Sequence, residues 1–581
     1  MADYRSSDLV KKLTSGELNR RQFIRRAAAA GISAGFVSSA LIDHASAAPS
    51  SRSRIRSRNQ GDPTTLVIAD DISPTRGAWL TADPGWFYEI NPAAMMNLVY
   101  EALYHLPDGS KVDQFEPLLA DGMPEIAADN KSVTIKIKQG VKFHNTGNEM
   151  TTADWVFSWN RLVNLKYQGS FLVAEICDGF EAVDEYTLKL TWSSPRAQLI
   201  QAIASIPLSV MDSKFLQENG GTDAADADTK DTAKDIIDGT SAGTGPYKLS
   251  KWDLNSEVVV EKNPDYWGEA PKLDRVIWRL ASQPSAQVQL VETGEVDIAY
   301  HLDPDKAQSV KDNPELQLIT GPTLAIQYLG MKVADDETAD RGCTCAGPLL
   351  NKQVRQAIGY AIDYEGIISG LLGGAGLHPA TTVPEPLLGT VDVHDLAYRQ
   401  DLAKAQQLFD QSGVGQAEIT LSYDSGGFGE GAVSLDALAA KLQSDIQQVK
   451  GITFNINPMD GTERITEYRA GKLQATVSPW TPDYADVNTY TGPFAQTGVA
   501  AAKRMGYSNP QVDEWLKQGI AELDVEKRKQ IYINILKQMI DDAAFLVLYQ
   551  TIDQKPATKA VQGVSVHPVY IIQVRYASKT A

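Results

Sequence analysis

A serine stands at the centre of GTSAG, residues 239–243, which matches the G-x-S-x-G pattern of a hydrolase nucleophile. In that role Ser241 needs a strand before it and a helix after it, because the sharp turn between them exposes the hydroxyl. Here an acidic, Ala-rich stretch precedes the motif, and GTGPYKLSKW, which predicts a turn into a strand, follows it. This context argues against catalysis by Ser241. An exported serine hydrolase that uses Ser241 is therefore only an alternative hypothesis for function.

Other catalytic and metal-binding patterns are missing from the sequence. It contains no H-E-x-x-H, no phosphate-binding G-x-x-x-x-G-K-[ST] and no G-x-G-x-x-G after a predicted strand. The histidines beyond residue 47 are widely scattered: His105, His144, His301, His378, His394 and His567. The three cysteines have no histidine close by in sequence that would complete a metal-ligand set. The sequence therefore predicts no enzyme activity, no metal and no other cofactor.

A second candidate site is SPWTPDYADVNTYTGPF, residues 478–494, where aromatic residues, prolines and aspartates crowd together. Trp480 and Tyr484 are rigid side chains that suit the walls of a ligand site. Asp483 lies between them and could pair with a cationic group of a ligand. It could equally cap a turn beside Pro482. The segment alone leaves both interpretations open.

The N-terminus predicts export. Arg20 and Arg21 precede a Gly/Ala-rich apolar run from Ala27 to Ile42, and the small residues Ala45-Ser46-Ala47 follow it. This order is typical of a twin-arginine signal peptide with its cleavage site, predicted over residues 1–47. The apolar run is shorter than the ~20 residues that span a bilayer. The protein is therefore expected to fold in the cytoplasm and to work in the periplasm.

The exported part is acidic. Residues 48–63 alternate Ser and Arg without apolar periodicity, which predicts a disordered leader. Residues 1–47 contain seven Lys/Arg and four Asp/Glu, so their removal changes the formal net charge from −19 to −22. Such a charge favours solubility and argues against nucleic acid or anionic membranes as partners.

The sequence does not determine which cysteines pair. Cys343 and Cys345 could pair only through a turn, because residues i and i+2 of a strand lie about 6.6 Å apart, near the limit for a disulfide. A bridge from Cys177 to either of them is equally open. Three cysteines are too few to form the scaffold of a disulfide-rich fold.

Short strands and helices are mixed along the chain, which predicts an α/β protein of several domains. The run TTLVIA, residues 64–69, predicts a buried strand. Asn351, Asp401 and Asn509 stand where helix N-caps are expected, each followed by an amphipathic pattern. The acidic segment 220–239 predicts a solvated excursion on the surface.

An ordered series of segments resembles the family 5 solute-binding proteins, the peptide, nickel and opine-type receptors of ABC importers. The series includes NLVYEALYHLPDGS, GTGPYKLSKW, EKNPDYWGEAPKLDRVIWRL, VETGEVDIA, LNKQVRQAIGYAIDYEGI, DLAKAQQLFDQSG and WTPDY. It covers roughly residues 64–550. Each phrase alone is a weak motif, but their order is specific.

The resemblance implies a two-lobed periplasmic binding protein of the large three-domain type (type II, cluster C-like), with ligand enclosed between domains I and III by hinge closure. Domain I is expected over 64–99, 183–322 and 549–581, domain II over 100–182 and domain III over 323–548. The implied partners are an ABC permease with its ATPase and the twin-arginine export machinery. The protein is expected to be a monomer without a cofactor. A solute-sensing or chaperone module not coupled to uptake is a further hypothesis.

The resemblance also implies site residues. In peptide-binding members the acid of a W-x-x-D segment pairs with the α-ammonium of the ligand, and here that acid is Asp483. Trp480 and Tyr484 are then the walls of the site, domain I contributes the segment Tyr88–Asn91, and domain II reaches in near Phe171.

One position departs from the peptide-binding pattern. Some members place an arginine three residues before the tryptophan, where it helps to hold a peptide carboxylate, but this chain has Val477 there, and Arg469 lies nearby out of register. The departure puts a peptide carboxylate clamp in doubt. The expected ligand is therefore a peptide or a small amine or amino-acid-derived solute.

Overall fold

Every residue of the first strand, β1 (Thr65–Asp70), is buried, because the strand pairs on both sides and is covered on both faces. Leu66 and Ile68 pack into one hydrophobic core, whereas Val67 and Ala69 pack into another. This alternation follows from the two-residue period of a strand. The computed structural model describes residues 62–74, 79–88, 91–107, 109, 111–302, 306–335, 343 and 345–580.

Residues Pro63–Ala581 form one compact unit. The predicted signal peptide and residues 48–61 of the predicted leader lie outside the described residues. Within the described ranges, no helix has both the length and the apolar character needed to cross a membrane.

Helix α1 (Ala93–Val99) leads into a smaller unit that carries its own sheet. This unit contains β2 (Tyr104–His105), β3 (Glu116–Pro117), β4 (Glu125–Ile126), β5 (Ser132–Lys136), α2 (Thr152–Leu165), α3 (Leu172–Ile176), β6 (Gly179–Asp184), β7 (Thr187–Thr191) and α4 (Leu199–Ile203). Strands β4, β5, β7 and β6 form an antiparallel sheet in that order. The domain II boundary predicted at residue 182 lies within β6, which pairs with β7 in the same sheet, and the boundary stays a prediction.

The chain then returns to the first lobe. The elements of this part are α5 (Ser213–Glu218), α6 (Ala227–Lys230), α7 (Lys234–Ile237), β8 (Tyr247–Asp253), β9 (Glu257–Lys262), β10 (Arg275–Leu280), α8 (Pro284–Glu292), β11 (Ile298–Ala299) and α9 (Ala307–Asp312). Strands β8 to β11 complete the sheet around β1.

The acidic segment 220–239 is more deeply packed than the sequence predicts. Asp231 forms an ion pair with Arg161 of α2, and both side chains are almost fully buried. Ala233 and Ile237 are also fully buried in the core of the first lobe. The rest of the segment lies mostly at the surface, as predicted, but the sequence did not show these buried anchors because their partners lie far away in the chain.

The second lobe is built on one continuous stretch of chain. After β12 (Leu316–Met331) it contains α10 (Lys352–Ala361), α11 (Tyr364–Leu371), β13 (Gly376–Leu377), α12 (Leu402–Gln411), β14 (Ala417–Asp424), α13 (Leu435–Ile446), β15 (Ile452–Met459), α14 (Gly461–Arg469), β16 (Ala475–Trp480), α15 (Asn488–Ala495), α16 (Ala500–Met505), α17 (Pro510–Ala521), α18 (Val525–Asp542) and β17 (Phe545–Thr558). The predicted caps Asn351, Asp401 and Asn509 each accept backbone hydrogen bonds at a helix start.

Two long strands, β12 and β17, pair with each other and run from one lobe into the other. Their antiparallel register shifts between Pro322 and Ile326 of β12. At the same place the hydroxyls of Thr323 and Thr551 lie 2.6 Å apart. The domain boundaries predicted at 322/323 and 548/549 lie close to this irregularity, and they stay predictions.

The C-terminal segment returns to the first lobe with β18 (Val561–Gln562), β19 (Ser565–His567), β20 (Ile571–Gln573) and β21 (Ser578–Lys579). Arg575 pairs with the buried Glu101 at the end of α1, and Lys579 pairs with Asp297 at 2.9 Å. Ile572 belongs to the same core as β1. The two ends of the described chain therefore share one core.

Candidate functional site

The segment that the sequence analysis singled out leaves the sheet at the end of β16. This strand pairs with β12 on one side and β14 on the other, so its end is firmly placed. The Trp480 ring packs edge-on against Phe494 at 5.0 Å. A short loop, residues 481–487, then leads into α15.

A buried ion pair anchors this loop. Both carboxylate oxygens of Asp486 accept hydrogen bonds from the guanidinium of Arg528 on α18, at 2.8 and 2.9 Å. Both side chains are buried, and a bidentate pair of this kind fixes geometry as well as charge. The loop is therefore held from the side of the second lobe, three residues after Asp483.

The contacts of Asp483 within the described residues are to hydroxyl groups. Its backbone N–H and one carboxylate oxygen bond to the Thr489 hydroxyl, each at 3.3 Å, and its carbonyl accepts from Ser205 of the first lobe at 3.2 Å. In the part of the chain that the structure describes, no Lys, Arg or His forms a salt bridge with its carboxylate. Burial raises the pKa of Asp483 to about 6, with Glu175 adding to the increase, while hydrogen bonds from Tyr88 and Thr489 oppose it.

The carboxylate faces a cavity between the lobes, which we call the Asp483 cavity. Its volume is about 390 Å³. Four of the predicted site residues line it: Tyr88 from the first lobe, and Trp480, Asp483 and Tyr484 from the second. The structure therefore brings together residues from both lobes around one unneutralised carboxylate.

Tyr484 also crosses between the lobes. Its hydroxyl donates to Oε2 of Glu175 on α3 at 3.0 Å, and the Asn488 amide approaches the same oxygen at 3.4 Å. The Tyr484 ring lines the Asp483 cavity, but its polar end is occupied by this contact.

Two predicted residues lie outside the Asp483 cavity. Phe171 packs edge-on against the ring of Tyr88 at 6.3 Å and does not line the cavity itself. Asn91 lines a second cavity of about 300 Å³, which we call the Glu430 cavity. Thr481 lines both cavities. Glu89 and Ile90, within the predicted segment Tyr88–Asn91, lie outside the described residues.

Sequence reasoning missed several residues of the Asp483 cavity. Arg469, at the last turn of α14, lines it, whereas Val477 is buried in the core of the second lobe. His567 and Tyr570 line it from the C-terminal segment with their rings stacked at 4.2 Å. Burial lowers the pKa of His567 to about 4, so this imidazole is neutral at pH 7. No local pattern marks these positions, because the fold alone brings them to the cavity.

Ser241 does form a serine–histidine pair. Its hydroxyl lies 2.9 Å from Nδ1 of His144, and Nε2 of this ring lies 2.9 Å from the Gly245 carbonyl. Both side chains are only 1% exposed, and burial lowers the pKa of His144 to about 4. Neither residue lines the two inter-lobe cavities, and a turn rather than a strand precedes Ser241. The hydrogen bond between them connects the smaller unit to the first lobe.

The cysteines divide into a bonded pair and a free thiol. Cys343 and Cys345 are joined to each other in the structure, with their Cα atoms 5.1 Å apart. Cys177 is free and buried in the core of the smaller unit. Within the described ranges, no group of three or more His, Cys, Asp or Glu is placed to hold a metal ion.

A two-lobed α/β molecule with a ligand-sized cavity between its lobes defines the class of periplasmic-type binding proteins. The comparison with protein families identifies the class further: residues 114–501 match the bacterial extracellular solute-binding proteins, family 5 middle. The chain belongs to this family, and it is an extracellular solute-binding protein, as its sequence predicts.

Relatives and solved structures agree with this assignment. The chain is 25% identical over 443 residues to the probable D,D-dipeptide-binding periplasmic protein DdpA of Escherichia coli (strain K12), covering 76% of this chain and 80% of that protein. It is 26% identical over 444 residues to the glutathione-binding protein GsiB of Pectobacterium atrosepticum, covering 74% and 79%. The fold matches that of the periplasmic binding protein DppA from Helicobacter pylori in complex with peptide STSA, with a TM-score of 0.71, 20% identity and coverage of 89% and 98%.

Proposed function

We propose that this protein is the periplasmic receptor of an ABC importer, and that it binds a peptide or a small amine or amino-acid-derived solute without chemical conversion. It acts as a monomer that delivers the ligand to a membrane permease driven by an ATPase. Support comes from the family and from relatives whose names refer to dipeptide and glutathione binding. Export by the twin-arginine pathway is part of the proposal and rests on Arg20 and Arg21.

The observation that carries the proposal is the unneutralised Asp483 carboxylate in a cavity between lobes. A half-buried carboxylate without a cationic partner has a raised pKa, so a cationic ligand group would stabilise it. The α-ammonium of a peptide or amino acid has this charge. Tyr88 and Trp480 provide aromatic walls beside it.

Arg469 gives the same cavity a cation for the other end of such a ligand. Its side chain is exposed at the end of α14, and no salt bridge within the described part of the chain neutralises it. A guanidinium can bind a carboxylate through two parallel hydrogen bonds. Arg469 therefore takes the role of the arginine that some family members have at the position of Val477. We expect a zwitterionic ligand to pair with both Asp483 and Arg469.

Closure of the two lobes buries the ligand. The cavity walls come from both lobes, so the site is complete only when they approach each other. The β12–β17 ladder connects the lobes and contains the register shift at Pro322–Ile326, where bending is easiest. A ligand held from both sides favours the closed state by its differential affinity for it.

The test is calorimetric titration of the mature protein with tri-alanine and with N-acetyl-tri-alanine. The two probes differ only in the ammonium group. We expect tri-alanine to bind and the acetylated peptide to bind about 30-fold more weakly or worse, because a buried carboxylate loses its partner. Equal binding of the two peptides would contradict the role of Asp483.

A further inference from the structure

The Glu430 cavity is a second compartment of the same inter-lobe cleft. The first lobe contributes Asn91 and Lys555 to its walls, and the second lobe contributes Glu430. Thr481 lines this cavity as well as the Asp483 cavity, so the two compartments adjoin. None of the contacts assigned above to the ammonium or the carboxylate of the ligand uses this space.

The backbone of Glu430 is fixed on the side of the second lobe. Its N–H donates to Oε1 of Gln327 at 3.2 Å, and its carbonyl accepts from the Tyr549 hydroxyl at 3.0 Å. Gln327 and Tyr549 are fully buried. The next residues turn sharply, with φ of 69° at Gly431 and 59° at Ala432, and the latter is unfavourable for a residue with a Cβ. Because both backbone groups are hydrogen-bonded, Glu430 has its side chain available to line the cavity.

Within the described ranges, the Glu430 carboxylate forms neither a hydrogen bond nor an ion pair. Burial and the charge of Asp553 raise the pKa of Glu430 to about 7, and Lys555 only partly opposes this. Nζ of Lys555 is engaged elsewhere, 2.6 Å from Oδ2 of Asp553 and 4.0 Å from the centroid of the Tyr300 ring.

The other ionisable residues of the Glu430 cavity leave its net charge negative. Asp71 adds a second carboxylate, which accepts hydrogen bonds from Ser73. Burial lowers the pKa of His301 to about 4, so the imidazole is neutral at pH 7. With Lys555 and Asp553 paired to each other, the cavity keeps an excess of negative charge.

The carboxylates of Asp483 and Glu430 line adjoining compartments of the cleft. Burial raises the pKa of the Tyr490 hydroxyl, and the charges of both carboxylates add to the increase. Asp483 also follows Thr481, the residue shared by both cavities, by two positions. A ligand that extends from one compartment into the other would therefore meet both carboxylates.

We propose that the Glu430 cavity binds a second cationic group of the ligand, namely the ammonium or guanidinium of a basic side chain, while Asp483 holds the first. The inference rests on the proposed function and names its substrate class: basic peptides or amines with two cationic groups. Glu430 is then a residue that determines specificity for charge, because a neutral side chain would leave its carboxylate unpaired.

The experiment compares charged probes with uncharged isosteres. The mature protein is titrated with tripeptides of alanine carrying one lysine at each position in turn, and with the same peptides carrying norleucine. A second series pairs 1,4-diaminobutane with butylamine. We expect at least one lysine peptide, or the diamine, to bind about tenfold more tightly than its uncharged partner.

The variant Glu430→Gln is expected to abolish this preference, so that lysine and norleucine peptides bind it with equal affinity. Its melting temperature should not fall, because the substitution removes an uncompensated charge and keeps the backbone contacts. Glu463→Gln, an exposed glutamate on α14, is the matched control and should keep the preference. Binding of norleucine and lysine peptides with equal affinity would overturn this inference and leave the proposed function standing. Absence of binding by every probe would overturn both.

Discussion

The hydroxyl of Tyr484 donates a hydrogen bond of 3.0 Å to Oε2 of Glu175, which joins the loop carrying Asp483 to the smaller unit on the opposite side of the cleft. The same oxygen accepts from the Gln198 amide at 3.2 Å, so one carboxylate oxygen receives bonds from both sides. Because the contact joins the two sides of the cleft, we expect it to stabilise the closed state and to couple the position of the ligand loop to closure.

Removing this hydroxyl should weaken ligand binding without damaging either lobe. We expect Tyr484→Phe to lower the affinity for tri-alanine about tenfold, because a hydrogen bond to a charged group contributes about 1.5 kcal/mol to the closed state. Tyr186→Phe is the matched control, since Tyr186 bonds Glu149 at 2.9 Å within the smaller unit. Calorimetric titration measures the affinity, and small-angle scattering with saturating ligand measures closure. Equal affinities of the two variants would show that this contact does not stabilise the closed state.

Substitution of Asp483 should affect ligand affinity, whereas substitution of Asp486, three residues later on the same loop, should affect stability. Asp483→Asn should lower the affinity for tri-alanine about 30-fold or more and leave the melting temperature of the empty protein nearly unchanged. Asp486→Asn should lower the free energy of unfolding by about 3 kcal/mol, because it leaves the buried Arg528 unpaired. Thermal melting and titration of both variants separate the roles. Loss of stability with intact affinity in Asp483→Asn would instead indicate a turn-capping aspartate.

Affinity for a cationic ligand should depend on pH near the pKa of Asp483. Burial raises this pKa to about 6, so the carboxylate of the empty closed protein is mostly charged at pH 7 and mostly protonated at about pH 5. A bound ammonium favours the charged form. Affinity for tri-alanine should therefore be nearly full above pH 7 and about half of that at pH 6, and its fall should approach tenfold per pH unit below about pH 5. Titrations at several pH values check this, and Asp483→Asn should give a flat profile.

Arg469 should recognise a free carboxylate. We expect Arg469→Gln to reduce the affinity for tri-alanine about tenfold and to leave the affinity for tri-alanine amide unchanged, because the amide lacks the charge that the guanidinium pairs with. Arg399→Gln changes an exposed arginine that lines neither cavity and serves as the control. If the variant lowers the affinity for both peptides equally, Arg469 does not recognise the free carboxylate of the ligand.

Export should depend on the arginine pair. Replacing Arg20 and Arg21 together by lysine should leave a folded precursor in the cytoplasm, because lysine lacks the planar fork of donors that a guanidinium presents. Fractionation of cells followed by immunoblotting measures the distribution. Delivery of the double variant to the periplasm at the normal level would exclude the twin-arginine route.

Local signals in the sequence predicted local structure well. Asn351, Asp401 and Asn509 cap helices where expected, because a cap is specified by a side chain and the backbone two or three residues later. The burial of β1 follows from its uninterrupted apolar run. The family and its two-lobed fold were predicted from the order of many weak motifs, and both are confirmed.

The composition of the site was less accessible to sequence reasoning. Tyr88 and Asp483 come from distant parts of the chain, and only the resemblance placed them together. Arg469 is out of register with the family pattern, and sequence spacing does not show that the end of α14 reaches the cavity. Glu430 carries no pattern at all: its environment depends on the packing of Gln327 and Tyr549 and on the approach of the opposite lobe. Such positions are set by tertiary contacts.

The shared core of the two chain ends has a consequence for the order in which the protein can be built. The second lobe is continuous in sequence, so it can fold during synthesis once β17 has left the ribosome. The first lobe needs Ile572, Arg575 and Lys579 against elements made much earlier in synthesis. Its nascent core must stay open until this C-terminal segment has left the ribosome. A ribosome that stops early therefore yields a chain with one finished lobe and one exposed sheet, which should be a substrate for proteases.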